Sequence, residues 1–452
     1  MELNLSEIYR LFNMEQKGRD IKVRAISIDS RTIKPGEIFV AIKGERTNGH
    51  SYIRDAVKKG AAAVIASRGR TGIIVKDTAD ALLAIARYYA AKFKKAKIAA
   101  ITGSNGKTTT KEMLAAILEE YYGKALVLKS EKSFNNHVGV PLTIFKMKQG
   151  QKAVVLEMGM NNLGEIARLA SAVRINTAVI TNVGTSHIGR LKSKANIAKA
   201  KAEIFEGVVN GGTAVLNADD GYFAALAKRA KARRIKVISF GLGKNADVSA
   251  EVVKTGGSGT VFTLTIGGKQ EELEMKFKGT HNVYNAAAAA AAALTMGAGA
   301  ADIRTALLKL SMGGTLRFDE KVVRAIRVIE DCYNANPDSF KAGLETLRSM
   351  AMHSLIVVSG DMLELGAASG KYHAVIGGMI ARLGVKKLMV FGRYAKDVIK
   401  GYIKAGGPAG SAAAYKSKEN LARDLKAIAK PGDTVYVKGS RGNKLEEVIE
   451  GL

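Results

Sequence analysis

The sequence predicts an α/β protein of three domains, and three observations support this prediction. The chain has 452 residues, more than one ordinary domain needs. Short apolar runs typical of parallel strands alternate with helical segments along most of its length. One such run, residues 98–102, leads into a glycine-rich loop and then into an amphipathic segment. We therefore expect a central parallel-sheet domain that carries this loop, flanked by a small N-terminal α/β domain and a C-terminal Rossmann-like α/β domain.

The domain boundaries follow from breaks in this alternation. Residues 1–80 contain short strand-like runs, such as residues 37–42, and predict the small N-terminal domain. A helical stretch at 79–95 spans the first boundary, and the central domain is expected at 81–313. Within it, residues 243–272 resemble β-hairpins. Gly313-Gly314 marks the second break, so the C-terminal domain is expected at 314–452. Four apolar runs there, near 328–330, 355–358, 387–391 and 434–437, end in polar or glycine residues, where α/β sheets place ligands.

Composition and charge limit the class of protein. Hydrophobic residues make up 47% of the chain, which indicates a globular fold. The formal net charge is +29, but the basic residues form scattered pairs such as Arg233-Arg234 rather than a long tail. Neither an aromatic-rich ribonucleoprotein motif nor zinc-ligand spacing accompanies them. We therefore expect solvated basic surfaces and no nucleic-acid partner.

Cysteine usage and hydropathy bear on the compartment. Cys332 is the single cysteine, which excludes an internal disulfide framework and fits a reducing environment. The longest small-residue run, 286–293, consists of alanine and is too short to cross a bilayer. The first twelve residues lack the basic and apolar regions of an export signal. We expect a cytoplasmic monomer without a membrane span.

The loop after residues 98–102 has the composition of a triphosphate-binding loop. Gly103 and Gly106 permit the backbone conformations that turn N–H groups inward, and the following helix offers its positive N-terminal end. Lys107 would reach the β- and γ-phosphates, and the Thr108 hydroxyl a Mg²⁺ ion. The usual motif has a glycine where Ile101 stands, so this loop is a shortened form. The expected ATP-binding residues of this segment are Thr102, Gly103, Ser104, Asn105, Gly106, Lys107, Thr108 and Thr109.

Other candidate residues lie at the ends of strands or at the starts of helices. Glu157 follows an apolar run and is a natural Mg²⁺ ligand, or else a surface charge. His187 could ligate a metal or cap a helix, and Lys201 alone reads as part of a basic helical face. Asn282 and Asn285, one helical turn apart, could present amides to a purine or serve as caps. Arg317 is a candidate phosphate clamp because its guanidinium is planar.

Several of these segments together resemble the Mur ligases, the ATP-dependent amide-forming enzymes of peptidoglycan synthesis. The similar segments are Thr-Gly-Ser-Asn-Gly-Lys-Thr at 102–108, Glu157, Thr-Ser-His at 185–187, Lys-Ala-Glu-Ile-Phe at 201–205 and His-Asn-x-x-Asn-Ala at 281–286. Further matches lie at 29–31, 39–46, 135–143, 360–366 and 439–442, so the resemblance covers nearly the whole chain in order.

The resemblance implies roles that the residues alone leave open. It implies that Lys201 is carbamylated and shares a second Mg²⁺ ion with His187, whereas Thr108 and Glu157 hold the first. It also implies that Asn282 contacts the adenine, Arg317 the phosphates and Asp331 the nucleotide from the third domain. The catalytic set implied is therefore Lys107, Glu157, His187 and Lys201, with ATP and two Mg²⁺ ions bound.

Asp-x-Tyr-Asn-Ala-Asn-Pro at 331–337 narrows the resemblance to the family member that joins D-alanyl-D-alanine to UDP-N-acetylmuramoyl-tripeptide. Asn48 stands where the family usually has aspartate, which implies a lost charge near the uridine end. The substrate-binding residues implied are Ser30, Arg31, Phe39, Lys43, Gly44, His50, Asn135, Asn136, Thr185, Ser186, Tyr333, Asn334, Asn336, Ser440 and Arg441.

Three alternatives remain open at this point. A diaminopimelate- or lysine-adding Mur ligase would carry a different signature in the third domain. A folylpolyglutamate synthetase shares the loop chemistry but would not explain residues 331–337. A basic nucleic-acid-dependent NTPase fits the charge alone and would show nucleic-acid-stimulated ATP hydrolysis with a steep salt dependence.

Overall fold

The computed structural model describes residues 1–16, 18–44, 47–69, 72–256, 259–311, 313–350 and 354–452. Within these ranges, strands and helices alternate and form three sheets of four, nine and six strands. The expected α/β fold with a parallel-dominated sheet in each part of the chain is confirmed. Glu45 and Arg46 of the 39–46 match, and Gly257 and Ser258 of the hairpin segment, lie outside the described residues.

The N-terminal sheet is parallel, in the order β1-β2-β3-β4. Its strands and helices are α1 (Leu5–Leu11), β1 (Ile26–Ser27), β2 (Ile38–Val40), α2 (Ile53–Lys58), β3 (Ala63–Ala66) and β4 (Ile73–Ile74). Successive side chains of a strand point to opposite faces, and both faces of β2 are buried. Ile38 and Val40 therefore pack into one core cluster and Phe39 into another.

Helix α3 (Thr78–Ala90) joins the first two domains. It begins at Asp77, whose carboxylate accepts hydrogen bonds from the N–H groups of Ala79 and Asp80. Its buried face shares a core cluster with strands of both the first and the second sheet. The boundary expected at 80/81 thus falls inside this helix, while that at 313/314 lies in a loop.

The central sheet has the order β13-β12-β11-β10-β9-β8-β5-β7-β6. Its strands are β5 (Lys97–Thr102), β6 (Val127–Lys129), β7 (Ala153–Glu157), β8 (Ile175–Ile180), β9 (Val208–Asn217), β10 (Lys236–Gly241), β11 (Val248–Gly256), β12 (Gly259–Ile266) and β13 (Lys269–Met275). Neighbours from β6 to β11 are parallel, whereas β11, β12 and β13 pair antiparallel. The hairpin character expected for 243–272 is therefore confirmed in the described residues.

Helices cover this central sheet. They are α4 (Lys107–Tyr122), α5 (Gly139–Ile144), α6 (Glu165–Ala170), α7 (Ile188–Leu191), α8 (Lys194–Ala202), α9 (Phe223–Ala232), α10 (Thr280–Met296) and α11 (Ala300–Lys309). Alanines 286–293 of α10 are completely buried, and their small side chains let this helix pack closely against α4 and the sheet. No helix in the described part of the chain combines the length and apolarity that crossing a bilayer requires.

The C-terminal sheet has the order β14-β15-β19-β16-β17-β18, and only the edge pair β14–β15 is antiparallel. Its elements are β14 (Asp319–Val323), β15 (Ile326–Asp331), α12 (Pro337–Ser349), β16 (Leu355–Ser359), α13 (Ser369–Ala381), β17 (Lys387–Phe391), α14 (Ala395–Lys404), β18 (Ala412–Tyr415), α15 (Lys418–Ile428) and β19 (Thr434–Lys438). Core clusters lie on both sides of this sheet, as expected for a Rossmann-like domain.

Candidate active site

The glycine-rich loop lies between β5 and α4. It approaches Thr181, which follows β8, and Asn285 in α10. Gly103 has a φ of +154°, and a Cβ atom there would lie 1.8 Å from Thr181 Oγ1. Gly106 has a φ of +82°, and its Cβ would lie 2.2 Å from Asn285 Oδ1. Only glycine combines these backbone conformations with such close approach. The loop therefore has the conformation that the two glycines predict.

Lys107 begins helix α4, so the N-terminal N–H groups of this helix face the same space as its side chain. Its Nζ atom donates hydrogen bonds to the carbonyl oxygens of Gly103, at 2.8 Å, and Ser104, at 3.4 Å. Burial lowers the pKa of Lys107, and Arg317 adds to this effect while Glu157 and Glu364 oppose it. The two carbonyl oxygens thus hold the Lys107 side chain within the loop.

Glu157 ends β7, next to β5 in the sheet, and is 1% exposed. Its Oε2 atom accepts a 2.8 Å hydrogen bond from Thr108 Oγ1, and its Oε1 atom a 2.7 Å bond from Asn135 Nδ2. A hydroxyl and a carboxylate oxygen thus lie side by side beneath the phosphate loop. Hard oxygen donors of this kind suit Mg²⁺.

Lys201 lies near the end of α8 and is 2% exposed. Its Nζ atom has no hydrogen-bond or ion-pair partner within the described ranges. Burial lowers its pKa well below the usual range, and the field of Lys107 adds to this effect although Asp220 opposes it. A lowered pKa favours the unprotonated amine, the form that can be modified, more than the pKa of an ordinary surface lysine does.

His187 has a φ of +61° and precedes the short helix α7. Its Nδ1 atom lies 2.7 Å from Glu364 Oε2 of the third domain, but the contact does not have hydrogen-bonding geometry at the ring. The proximity of His187 lowers the pKa of Glu364. Among the described residues, no three His, Cys, Asp or Glu side chains form a metal-binding group.

The residues expected to hold the nucleotide lie on two domains. Asn282 Nδ2 donates to the carbonyl oxygen of Lys278 at 2.9 Å, and Asn285 Nδ2 donates to Asn282 Oδ1 at 3.1 Å. The guanidinium of Arg317 lies over the Tyr333 ring, 4.1 Å from its centroid.

Asp331 is engaged within the third domain. Its Oδ2 atom accepts from Lys438 Nζ at 2.6 Å and from Tyr436 Oη at 2.9 Å. Its carboxylate oxygen therefore already has protein partners, although the residue borders the same cleft as Arg317.

The start of helix α12, in the third domain, contacts the phosphate loop and the segment at 185–186 of the central domain. Asn336 Nδ2 donates to Asn105 Oδ1 at 2.7 Å and to Ser186 Oγ at 2.8 Å. Asp338 Oδ2 accepts from the backbone N–H of Thr185 at 2.6 Å and from its hydroxyl at 2.7 Å. The third domain is therefore closed onto the central domain.

The cleft between these two domains has a volume of about 1100 Å³. It brings together most residues expected to act on ATP. The expected residues that line it are Gly103, Ser104, Asn105, Gly106, Lys107, Thr108, Thr109, Asn135, Asn136, Glu157, His187, Lys201, Asn282, Asn285, Arg317, Asp331, Tyr333, Asn334 and Asn336. Those outside its lining are Thr102, Ser30, Arg31, Phe39, Lys43, Gly44, His50, Thr185, Ser186, Ser440 and Arg441.

Residues expected to face the uridine end lie in the N-terminal domain. The Phe39 side chain is 1% exposed and packs in the core, so its ring is not available to a ligand. Arg31 is exposed and paired with Asp29, and hydrogen bonds from Arg31 lower the pKa of Asp29 to about 2. Ser30 is nearly buried, whereas Lys43 and Gly44 are exposed.

His50 is held by protein partners on both ring nitrogens. Its Nδ1 atom lies 3.0 Å from Asn48 Oδ1, and its Nε2 atom accepts from the N–H of Ser67 at 3.0 Å. Asn48 also caps the short helical turn at Gly49–Tyr52. Asn48 therefore still supplies a hydrogen-bond acceptor for His50 despite the lost charge.

Other expected substrate residues also have structural contacts. Asn136 Oδ1 accepts hydrogen bonds from the N–H groups of Val138, at 3.1 Å, and Gly139, at 2.8 Å, just before α5. Ser440 is buried and donates to the carbonyl oxygen of Ala335, while Arg441 pairs with Glu446. Asn136, Ser440 and Arg441 therefore each have a protein partner in addition to the substrate role that the resemblance implies.

Two residues that sequence reasoning missed belong to this site. Asp338 directly follows the 331–337 segment, and its position in the first turn of α12 was the available signal. Glu364 lies within the 360–366 match, and its φ of +71° is unusual for a residue other than glycine.

Three α/β domains, a phosphate loop with an adjacent carboxylate, and a third domain in contact with that loop define a P-loop ATP-dependent enzyme. Three family models match the chain. They are the Mur ligase family catalytic domain at 22–122, the Mur ligase middle domain at 101–293, and the Mur ligase glutamate ligase domain at 317–441.

Individual proteins agree with these models. The UDP-N-acetylmuramoyl-tripeptide--D-alanyl-D-alanine ligase of Bacillus subtilis (strain 168) is 34% identical over 438 residues, which cover 95% of this chain and 93% of that protein. A crystal structure of MurF from Acinetobacter baumannii is similar with a TM-score of 0.89 at 29% identity, covering 98% and 97% of the two chains. MurF from Thermotoga maritima in complex with ADP is similar with a TM-score of 0.83 at 27% identity, covering 95% and 97%. The chain belongs to the Mur ligase family.

Proposed function

We propose that this chain joins D-alanyl-D-alanine to the tripeptide carboxylate of UDP-N-acetylmuramoyl-tripeptide while ATP is converted to ADP and phosphate. The product is a precursor of peptidoglycan. The observation that carries this proposal is the segment 331–337, whose Asn336 contacts Asn105 of the phosphate loop across the domain boundary. The segment that narrows the resemblance to this member of the family is therefore part of the ATP site.

The chemistry must overcome the poor electrophilicity of a carboxylate. The tripeptide carboxylate attacks the γ-phosphorus of ATP, forming an acyl phosphate and releasing ADP. The amine of D-alanyl-D-alanine then attacks the acyl carbon, loses a proton and displaces inorganic phosphate. Lys107 and the N-terminus of α4 neutralise the negative charge that is concentrated on the transferring phosphoryl group.

Thr108 and Glu157 would hold one Mg²⁺ ion, and His187 with a carbamylated Lys201 a second. Bound Mg²⁺ supplies charge neutralisation on the phosphates. Lys201 is buried, has no side-chain partner among the described residues and has a lowered pKa, which supports carbamylation because a neutral amine reacts with CO₂ and a protonated amine does not.

Closure of the third domain protects the acyl phosphate. Asn336 and Asp338 bring α12 onto the loops at 105 and 185, which narrows access to the cleft. Since water competes with the amine for the acyl carbon, a closed cleft favours ligation over hydrolysis.

We further propose that the uridine end of the substrate binds at the N-terminal domain, and that the enzyme acts as a cytoplasmic monomer.

The direct test measures phosphate release from ATP with UDP-N-acetylmuramoyl-tripeptides that carry either diaminopimelate or lysine as the third residue. We expect release only when a tripeptide and D-alanyl-D-alanine are both present, with a new amide product of matching amount. Whichever tripeptide is faster identifies the third residue.

The same assay separates the alternatives. Release with a UDP-N-acetylmuramoyl-dipeptide and a single diamino acid would identify a diaminopimelate- or lysine-adding ligase instead. Release that depends on DNA or RNA, and falls steeply with salt, would identify a nucleic-acid-dependent NTPase.

A further inference from the structure

Lys111 is a buried lysine in α4, one helical turn after Lys107. Its side chain is completely removed from solvent, and its Nζ atom donates to the carbonyl oxygens of Ser130, at 2.8 Å, and Lys132, at 2.7 Å. Both carbonyls belong to the loop at 130–138 that connects β6 with α5. Because a buried ammonium group is costly unless it is paired, these bonds fix the loop against α4.

The charge of Lys111 is balanced within the same helix. Its Nζ atom lies 2.8 Å from Glu112 Oε1, and Lys129 Nζ lies 2.8 Å from Glu112 Oε2. Although burial raises the pKa of Glu112, hydrogen bonds from the two lysines lower it below the usual range. Glu112 therefore stays ionised, and Lys111 is held by one carboxylate and two carbonyls.

The same loop contacts Glu157 at its other end. Asn135 Nδ2 donates to Glu157 Oε1 at 2.7 Å, and the backbone oxygen of Asn135 accepts from Gly159 N–H at 2.8 Å. Ser130 Oγ accepts from the N–H of Glu157 at 3.1 Å. The loop thus surrounds the end of β7, and Asn135 fixes one oxygen of the carboxylate while Thr108 contacts the other.

We propose that Lys111 is a positioning residue that, through the 130–135 loop and Asn135, fixes the Glu157 carboxylate in the orientation that a cation bound with ATP requires. This inference rests on the proposed function, because the cation and ATP belong to it. Lys111 lies outside the lining of the cleft and acts only through the loop. Its loss should therefore weaken cation binding more than it weakens the anchoring of phosphate by Lys107.

The test compares Lys111→Met with Lys129→Met in the full-length protein. Lys129→Met removes the other lysine from Glu112 but leaves both loop carbonyls bonded, so it is a matched control. Mn²⁺ binding is measured by electron paramagnetic resonance in the presence of a non-hydrolysable ATP analogue, and amide hydrogen exchange of residues 130–135 is followed in parallel.

We expect Lys111→Met to weaken Mn²⁺ binding about 10-fold, as substitutions behind a metal ligand do, and to speed exchange in the loop. The control should change Mn²⁺ binding by less than about 2-fold, as expected for a partly exposed ion pair. Equal Mn²⁺ affinity in wild type and Lys111→Met would overturn the proposal.

A double-mutant cycle with Asn135→Ala distinguishes positioning from general destabilisation. If Lys111 acts through Asn135, Lys111→Met adds little further loss of Mn²⁺ affinity once Asn135 is alanine, whereas additive losses would overturn the proposal. If Lys111→Met does not fold, Lys111→Arg enters the same cycle, since it keeps the charge but cannot place one ammonium between the two carbonyls.

The outcome also separates this inference from the proposed function. A wild-type protein that binds Mn²⁺ with the analogue but ligates neither tripeptide would refute the proposed function alone. Wild-type ligation with Mn²⁺ affinity that is insensitive to Lys111 would refute the positioning role alone.

Discussion

At the scale of single residues, the site contains lysines whose pKa is lowered by burial. Lys201 is the clearest case, because it is buried without a partner among the described residues and its pKa is well below the usual range. Sequence alone favoured a solvated basic face for this lysine, since residue type does not reveal burial. Only the resemblance assigned it a chemical role.

Lys201→Ala should lower turnover about 100-fold or more, because it removes a proposed ligand of the charge-neutralising cation. A short carboxylic acid added to the assay should partly restore turnover by replacing the carbamate. The control is Lys199→Ala, which removes an exposed lysine of the same helix and should leave turnover unchanged. Full activity of Lys201→Ala would exclude the carbamate.

A pH effect is expected from His281, whose pKa burial lowers to about 4. In the unfolded chain this imidazole has its ordinary pKa of about 6.5, so between these values the unfolded state binds more protons. Stability should therefore fall as the pH falls from about 6.5 to 4. Thermal melting of wild type and His281→Gln across this range should show a shallower decline in the variant, and parallel curves would contradict the assignment.

At the scale of elements, the phosphate loop depends on close approach between a turn and its neighbours. Gly106 and Gly123 lie at opposite ends of α4 and both have positive φ values, +82° and +93°. A Cβ at Gly106 would collide with Asn285, whereas one at Gly123 would meet nothing within 4 Å. Alanine substitutions at these two glycines therefore distinguish the effect of backbone strain from the effect of a collision with Asn285.

Gly106→Ala should abolish measurable ATP binding, because the loop cannot keep its conformation beside Asn285. Gly123→Ala should cost about 1–3 kcal/mol of stability from backbone strain alone and bind ATP normally. Isothermal titration with ATP and denaturant unfolding of both variants provide the measurement. Normal ATP binding by Gly106→Ala would contradict this prediction, because it would show that the loop can accommodate a Cβ atom beside Asn285.

Element order and the phosphate loop were predictable because they depend on local patterns. The strand before Gly103, the hairpins after residue 243 and the strand-end position of Glu157 all follow from alternating apolar runs. The contacts of Asp338, Glu364 and Lys111 were not predictable, since each depends on how distant segments pack. Phe39 illustrates the same limit, because a motif match does not indicate that both faces of its strand are buried.

At the scale of the whole molecule, polar contacts from Asn336 and Asp338 join the third domain to the central domain. Asp338 makes two of them, both to Thr185, and hydrogen bonds to a charged group contribute about 1.5–3 kcal/mol each. The equilibrium between open and closed forms should therefore be sensitive to single substitutions on α12.

Asp338→Asn should shift this equilibrium towards the open form and lower kcat/KM about 10-fold, since the loss of roughly 1.4 kcal/mol is a tenfold change. Small-angle X-ray scattering should show a larger radius of gyration than for wild type. Glu345→Gln, an exposed change on the same helix, is the control. An unchanged radius together with unchanged kcat/KM would contradict a role for Asp338 in closure.

We propose that amide formation proceeds through an acyl phosphate in this cleft. Isotope transfer tests this step with a tripeptide substrate whose reacting carboxylate carries ¹⁸O in both oxygens, followed by mass analysis of the phosphate released during ligation. We expect one ¹⁸O atom in each phosphate, because the carboxylate oxygen that attacks ATP leaves with the phosphoryl group. Phosphate without ¹⁸O, in a reaction that still forms the amide, would contradict it.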